Sequence, residues 1–322
     1  MSRGKGREGM ARPSIRQEVD KFCWNFEGRK IRMGVGAAYY GRTEDYRETL
    51  DHDLEILMKT YEMGFRYYDT SRSYGNSEQA VGEFIARIPR ESIFLATKSQ
   101  YPLRRDHDNA FQIFKDNFHQ SFDRLKTDHI NLFQIHDTEN FDICVNEVIP
   151  FLEEKRKEGL IDYIGMGTRS INALTLGVLG GYLDSVLSYI NYSLITHAAD
   201  PLIEICRQQG ASFVNASVLH FGAFKPEKEP GRTSFPSGKR ERGRADKMTR
   251  LCEEMGIDVI HAALQYSLFN PNITMTLNGI ARMSNLESTA NAMRTVIHPE
   301  QWMRIAALQE EDPYFYIQDN LM

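Results

Sequence analysis

Short apolar runs alternate with longer amphipathic stretches from residue 32 almost to the end of this chain, and few folds accommodate that pattern. The short runs read as strands. The longer stretches place apolar residues at three- and four-residue steps and read as helices. Strands are predicted at 32–36, 66–69, 93–97, 130–135, 161–166, 185–189, 212–216 and 273–277. Phe111, Phe114, Phe118, Phe122 and Leu125 form one predicted helical face, and Leu54, Leu57, Met58, Tyr61 and Met63 form another. Strand starts recur at roughly 25 to 37 residues, apart from a last gap of about 61. Eight successive βα units predict an α/β protein, a (β/α)8 TIM barrel in a single domain. The competitor is a doubly wound sheet, which usually opens on a GxGxxG turn. GVGAAYYG at 34–41 matches that spacing poorly and has no helix directly after it.

The chain has 322 residues, 41% of them hydrophobic, enough to bury a large core. A formal charge of -5 lacks the basic excess of a dedicated nucleic-acid binder. The most apolar stretch, 174–190, is broken by paired glycines and by Asp184, so no membrane span is expected. Cys23, Cys144, Cys206 and Cys252 lie far apart and read as buried thiols, not disulfides or zinc ligands. A secretory signal is not apparent, and a cytoplasmic location is expected. The basic start, MSRGKGREGMARPSIR, reads as part of a flexible tail over 1–25, with a transit peptide as the alternative. Residues 26–322 are then the barrel. Within it, Phe224 to Asp246 is rich in Pro, Gly and positive charge, and reads as a long loop between the last two strands. A solvated insertion and a loop closing over a cofactor both fit. The sequence carries no signal for an oligomeric state.

Chemistry in such a barrel belongs at the C-terminal ends of the strands. The second strand ends in Asp69 and is followed by a turn containing Tyr74. The third ends near Lys98 and the fourth at His136 and Asp137. A free phenol titrates near 10, too high for ready proton exchange at neutral pH. A neighbouring ammonium favours the phenolate, a carboxylate aims the ammonium, and an imidazole hydrogen-bonds a substrate oxygen. A lone lysine after a strand is usually a solvated charge, and a lone histidine is usually structural. Joint placement on three consecutive strand ends favours chemistry. Asp106, His107, Asp108 and His129 have a spacing that suits no common ligand set, so no metal is expected.

GFRYYDTSRSYGNSEQAVGEFI (64–85) resembles the signature segment of the aldo-keto reductases, and ATK (96–98) and FQIHD (133–137) resemble their next two catalytic strands. The resemblance runs from about residue 32 to residue 297. It implies a (β/α)8 barrel, an NAD(P)-dependent oxidoreductase with NAD or NADP as cofactor, and a small-molecule substrate. It places the catalytic acid at Asp69, the tyrosine at Tyr74, the lysine at Lys98 and the histidine at His136. HDTENFDICVNEVIPFLEEKRKEGLIDYIGMG (136–167), LSYINYSL (187–194) and LQYSLFN (264–270) are similar to the branch that contains L-galactose dehydrogenase and related aldose 1-dehydrogenases. That branch oxidises the anomeric hydroxyl of a free sugar to a lactone.

The resemblance also implies cofactor contacts at Thr168 and Arg169, where many members carry Ser-Asn, and at Tyr189, where many carry glutamine. Ser217 follows the seventh strand. Gly279 and Arg282 stand in GIARMSNLESTANA (279–292), which resembles the phosphate and adenosine segment, although the usual Glu-Asn pair is Ser288 and Thr289 here. The expected activity is oxidation of a sugar C1 hydroxyl with Tyr74 as proton acceptor. A broad NADPH-dependent aldehyde or ketone reductase, a pyridoxal-type reductase and a dinucleotide-binding regulatory barrel without turnover are the alternatives.

Overall fold

The computed structural model describes residues 14–101, 109–137, 141–224, 239–312 and 315–316. An antiparallel hairpin of β1 (Trp24–Phe26) and β2 (Arg29–Ile31) precedes eight parallel strands. These are β3 (Met33–Gly36), β4 (Tyr67–Asp69), β5 (Phe94–Gln100), β6 (Ile130–His136), β7 (Ile161–Gly167), β8 (Ser185–Tyr189), β9 (Ser212–Ala216) and β10 (Met275–Asn278). They follow one another around a closed barrel in which β10 pairs with both β9 and β3. All eight coincide with the predicted runs to within a few residues, and closure excludes the doubly wound sheet.

Period-two alternation sorts the strand side chains into two cores. Tyr67, Phe94, Ala96, Leu132, Tyr163, Leu187, Val214, Met275 and Leu277 fill the lumen. Residues of the opposite parity, such as Tyr68, Leu95, Phe133, Ile164 and Val186, pack under the helices. The predicted phenylalanine face forms in Ala110–Leu125: Phe114, Phe118 and Leu125 are buried, and the Phe118 ring lies 4.6 Å from that of Phe133. All four cysteines are buried free thiols. Among the described residues, no helix is long and apolar enough to cross a membrane.

Two boundaries differ from expectation. Residues 14–25, assigned to the flexible tail, are folded: Ile15–Asp20 is a helix capped by Ser14, and Trp24 begins β1. Ile15, Val19 and Cys23 plug the lumen, joining the cluster of inward strand residues. The stretch 224–246 is not a loop throughout, because a helix begins at Lys239 and runs to Glu254. Its apolar positions Ala245, Met248 and Cys252 are buried, which stabilises helix despite the charged surroundings. The expected loop at 225–238, residues Asp106, His107 and Asp108, where no metal is expected, and residues 1–13 lie outside the described residues.

Candidate active site

The parity that fills the lumen with apolar side chains sends polar ones to its C-terminal mouth. Asp69 lies two residues beyond Tyr67 on β4, Lys98 two beyond Ala96 on β5, and Gln134 and His136 two and four beyond Leu132 on β6. All four are buried. Lys98 Nζ donates to Asp69 Oδ1 and, at 2.9 Å, to the Thr70 carbonyl. Gln134 Nε2 donates to Asp69 Oδ2 at 3.0 Å, so both oxygens of the carboxylate are engaged. Gly167 lies alongside: a Cβ there would stand 3.4 Å from Lys98 Cδ, an ordinary van der Waals contact.

Tyr74 sits in the turn after β4. Its N–H donates to the Ser71 carbonyl at 3.1 Å, and Ser71 Oγ donates to the Lys98 carbonyl at 3.0 Å, which ties the turn to β5. Lys98 Nζ lies 5.0 Å from the centre of the Tyr74 ring, and the His136 ring meets it edge-on at 5.7 Å. Burial pushes the Tyr74 phenol above its ordinary value. Lys98 pulls it down, Asp69 pushes it back up, and the net direction is upward. From the sequence, Lys98 is expected to lower this phenol. Its influence has that sign, but desolvation of the phenolate outweighs it. For Lys98, burial disfavours the ammonium, yet Asp69 and Tyr74 together raise it above the ordinary lysine value.

The His136 tautomer follows from its neighbours. Nδ1 lies 3.1 Å from the Gly167 carbonyl and 3.0 Å from Asp137 Oδ2, and both are acceptors, so Nδ1 carries the proton. Nε2 is then the ring nitrogen available to a substrate oxygen. Asp137 has φ +41°, in the left-handed region that Asp tolerates, and its Oδ1 accepts from the Tyr189 hydroxyl at 3.2 Å.

The other expected residues surround the neighbouring strand ends. Thr168 and Arg169 follow β7 and are buried. Arg169 Nη2 reaches Glu241 Oε1 at 3.4 Å, and the Arg169 carbonyl accepts from Asn191 Nδ2 at 2.9 Å. Tyr189 ends β8, half-buried, and Ser217 follows β9 with φ +57°. Gly279 follows β10 beneath the Tyr39 ring. Arg282 is exposed at the start of the helix Met283–Arg294, which has no side-chain cap bond. The Thr289 hydroxyl accepts from Asn278 Nδ2 at 2.8 Å and faces the barrel. Gln134, Asn191 and Glu241 complete the surroundings together with Asp137, and of these four only Asp137 is singled out by the sequence, as a strand-end residue. Only the alternation on β6 pointed to Gln134. The donor set suits a dinucleotide: an uncapped helix start with an exposed arginine accepts phosphate, and Tyr189 offers a flat ring.

The family model of the aldo/keto reductases matches residues 32–310. The chain belongs to the aldo/keto reductase family. It is accordingly an NAD(P)-dependent oxidoreductase. Among curated members of the family, it is 28% identical to D-threo-aldose 1-dehydrogenase of a Pseudomonas species, over 85% of this chain and 92% of that protein. It is 26% identical to L-galactose dehydrogenase of Arabidopsis thaliana, over 76% and 78%. In fold it is similar to the holo form of an aldo-keto reductase from Bacillus halodurans, with TM-score 0.69, 21% identity, and coverage of 89% of this chain and 95% of that one. An aldo/keto reductase from Klebsiella pneumoniae, solved with NADP and acetate, aligns with TM-score 0.65 and 18% identity over 94% and 98%.

Proposed function

We propose that this aldo/keto reductase oxidises the C1 hydroxyl of a free aldose to a lactone, with Tyr74 as the proton acceptor. The observation that carries the proton chemistry is the chain from Asp69 through Lys98 to the Tyr74 ring, closed by His136. Similarity to two sugar dehydrogenases over most of the chain supports the substrate class. Tyr74, as phenolate, takes the C1 hydroxyl proton. Lys98 stabilises that phenolate, and Asp69 holds Lys98 in place. His136, whose Nε2 can only accept, takes a hydrogen bond from a neighbouring sugar hydroxyl and so orients C1. When bound, NAD or NADP supplies the acceptor for the C1 hydride. Thr168, Arg169 and Tyr189 would hold its nicotinamide end, and Ser217, Gly279 and Arg282 its phosphates.

Carbonyl reduction is the second reading, and one observation favours it: a raised Tyr74 phenol keeps its proton at neutral pH and is suited to act as an acid. A panel of aldoses with NAD+ or NADP+, followed by formation of the reduced dinucleotide, separates the two. Turnover with one sugar family supports aldose oxidation. Consumption of NADPH with small aldehydes, and none with sugars, overturns it in favour of the reductase. In either direction Tyr74→Phe should lower kcat about a thousandfold while leaving dinucleotide affinity close to wild type. Retained turnover would remove Tyr74 from the proton step.

A further inference from the structure

A cavity of about 460 Å³ lies between the helix Lys239–Glu254 and the C-terminal helix Pro299–Glu310, and no residue of the Tyr74 site lines it. Arg240, Arg244 and Lys247, spaced four and three residues apart, bring three positive charges from one helical face to it. Arg244 is 8% exposed. Its Nε donates to Asp312 Oδ2 at 2.6 Å and its Nη1 to the Ile195 carbonyl at 3.4 Å. Nη2 is buried, with no hydrogen-bond partner among the described residues. A buried guanidinium edge with unused donors is costly unless an acceptor arrives, and a carboxylate or phosphate oxygen is the acceptor that suits it best. Asp312 is committed to Arg244. Gln309 is committed too, donating to the Leu194 carbonyl at 2.9 Å and accepting from Tyr266 at 3.0 Å. Ile195, Met248 and Phe315 make the remaining wall apolar, and Glu311 on the rim opposes a ligand of high negative charge.

We propose that this cavity is a second ligand site, for a small amphipathic anion. A phosphate monoester or carboxylate head is held by Arg244 with Arg240 and Lys247, and a short apolar body packs against Ile195, Met248 and Phe315. The volume lies in the range of small-molecule sites. The site does not depend on the proposed aldose oxidation, and its test reads binding alone. Titration calorimetry of the full chain with hexyl phosphate, hexanoate, inorganic phosphate and hexanol, with and without saturating NADP+, decides it. Hexyl phosphate or hexanoate is expected to bind with Kd below about 1 mM, and phosphate and hexanol each about tenfold more weakly or worse. Arg244→Gln should weaken binding by about tenfold or more, the loss of a charge-assisted hydrogen bond. That change also breaks a buried ion pair, so Lys247→Glu, at an exposed position, is the variant that keeps the fold intact. It should weaken binding about fivefold with an unchanged melting temperature. Absence of saturable binding, binding indifferent to Lys247→Glu, or displacement by NADP+ would each overturn the proposal.

Discussion

Lys98 is gripped by the Asp69 carboxylate and the Thr70 carbonyl, and the Tyr74 ring lies over it. Its ammonium therefore has one pose, and its charge bears on Tyr74 at every pH where the enzyme works. Burial leaves the phenol above its ordinary value even so. Oxidation needs the phenolate, so kcat/KM in that direction should climb with pH into the alkaline range. Lys98→Met removes the largest influence pulling the phenol down. The alkaline limb of the profile should move to higher pH, and neutral-pH kcat/KM should fall about a hundredfold. A limb that stays in place would mean that Lys98 does not tune Tyr74. At this scale much was legible: Asp69, Tyr74, Lys98 and His136 stand at predicted strand ends, and the structure brings them together. Gln134 shared only the β6 register with His136, and Asn191 was not legible, because nothing in its neighbours distinguishes a buried amide from one facing water.

The element that differs most from its prediction is the N-terminal segment. A six-residue helix with two buried positions, Ile15 and Val19, offers too little periodicity to be seen in a polar stretch. What holds it is tertiary: Arg16 Nη1 donates to the Asn272 carbonyl at 3.1 Å, and the apolar pair closes the lumen. The hairpin behind it is anchored by Trp24, stacked on Phe65 at 4.2 Å and donating from Nε1 to the Met63 carbonyl at 2.8 Å. Gly64 admits this contact. It has φ +100°, and a Cβ there would stand 2.4 Å from the Asn25 carbonyl oxygen. Ile15→Ala should cost about 2–4 kcal/mol in denaturant unfolding, in line with large-to-small changes in a core. The plug sits at the end of the barrel opposite Tyr74, so kcat/KM of the folded fraction should be unchanged. A loss of activity without a loss of stability would contradict that placement.

For the molecule as a whole, the charged groups around the mouth link stability to pH. His220 is fully buried, and its pKa is held down to about 3 by desolvation first and then by Arg169 and Arg244. The unfolded chain takes up this proton near pH 6.5, and the folded chain only near 3. The contribution is therefore complete above pH 6.5 and drains away as the pH falls toward 3, at up to about 1.4 kcal/mol per pH unit. His220 has φ +45°, which Asn accepts better than most residues, so His220→Asn is the variant of choice. The stability difference between wild type and His220→Asn should shift across that window and stay flat above it. A constant difference would place the imidazole's protonation outside folding.

Eight strands, their order in the chain and the four residues at three neighbouring strand ends were set by the sequence alone. Hydrophobic period, turn residues and motif spacing are local properties, and they survive in a linear string. Only the closed barrel decided the rest. It buried Tyr74 enough for desolvation to outweigh Lys98, and joined Arg169 to Glu241 across 72 residues. It also buried Arg244 beside a cavity, with its Nη2 unpartnered among the described residues. Each of these depends on how much water is excluded and on which distant side chain arrives, and both quantities exist only once the chain has closed on itself.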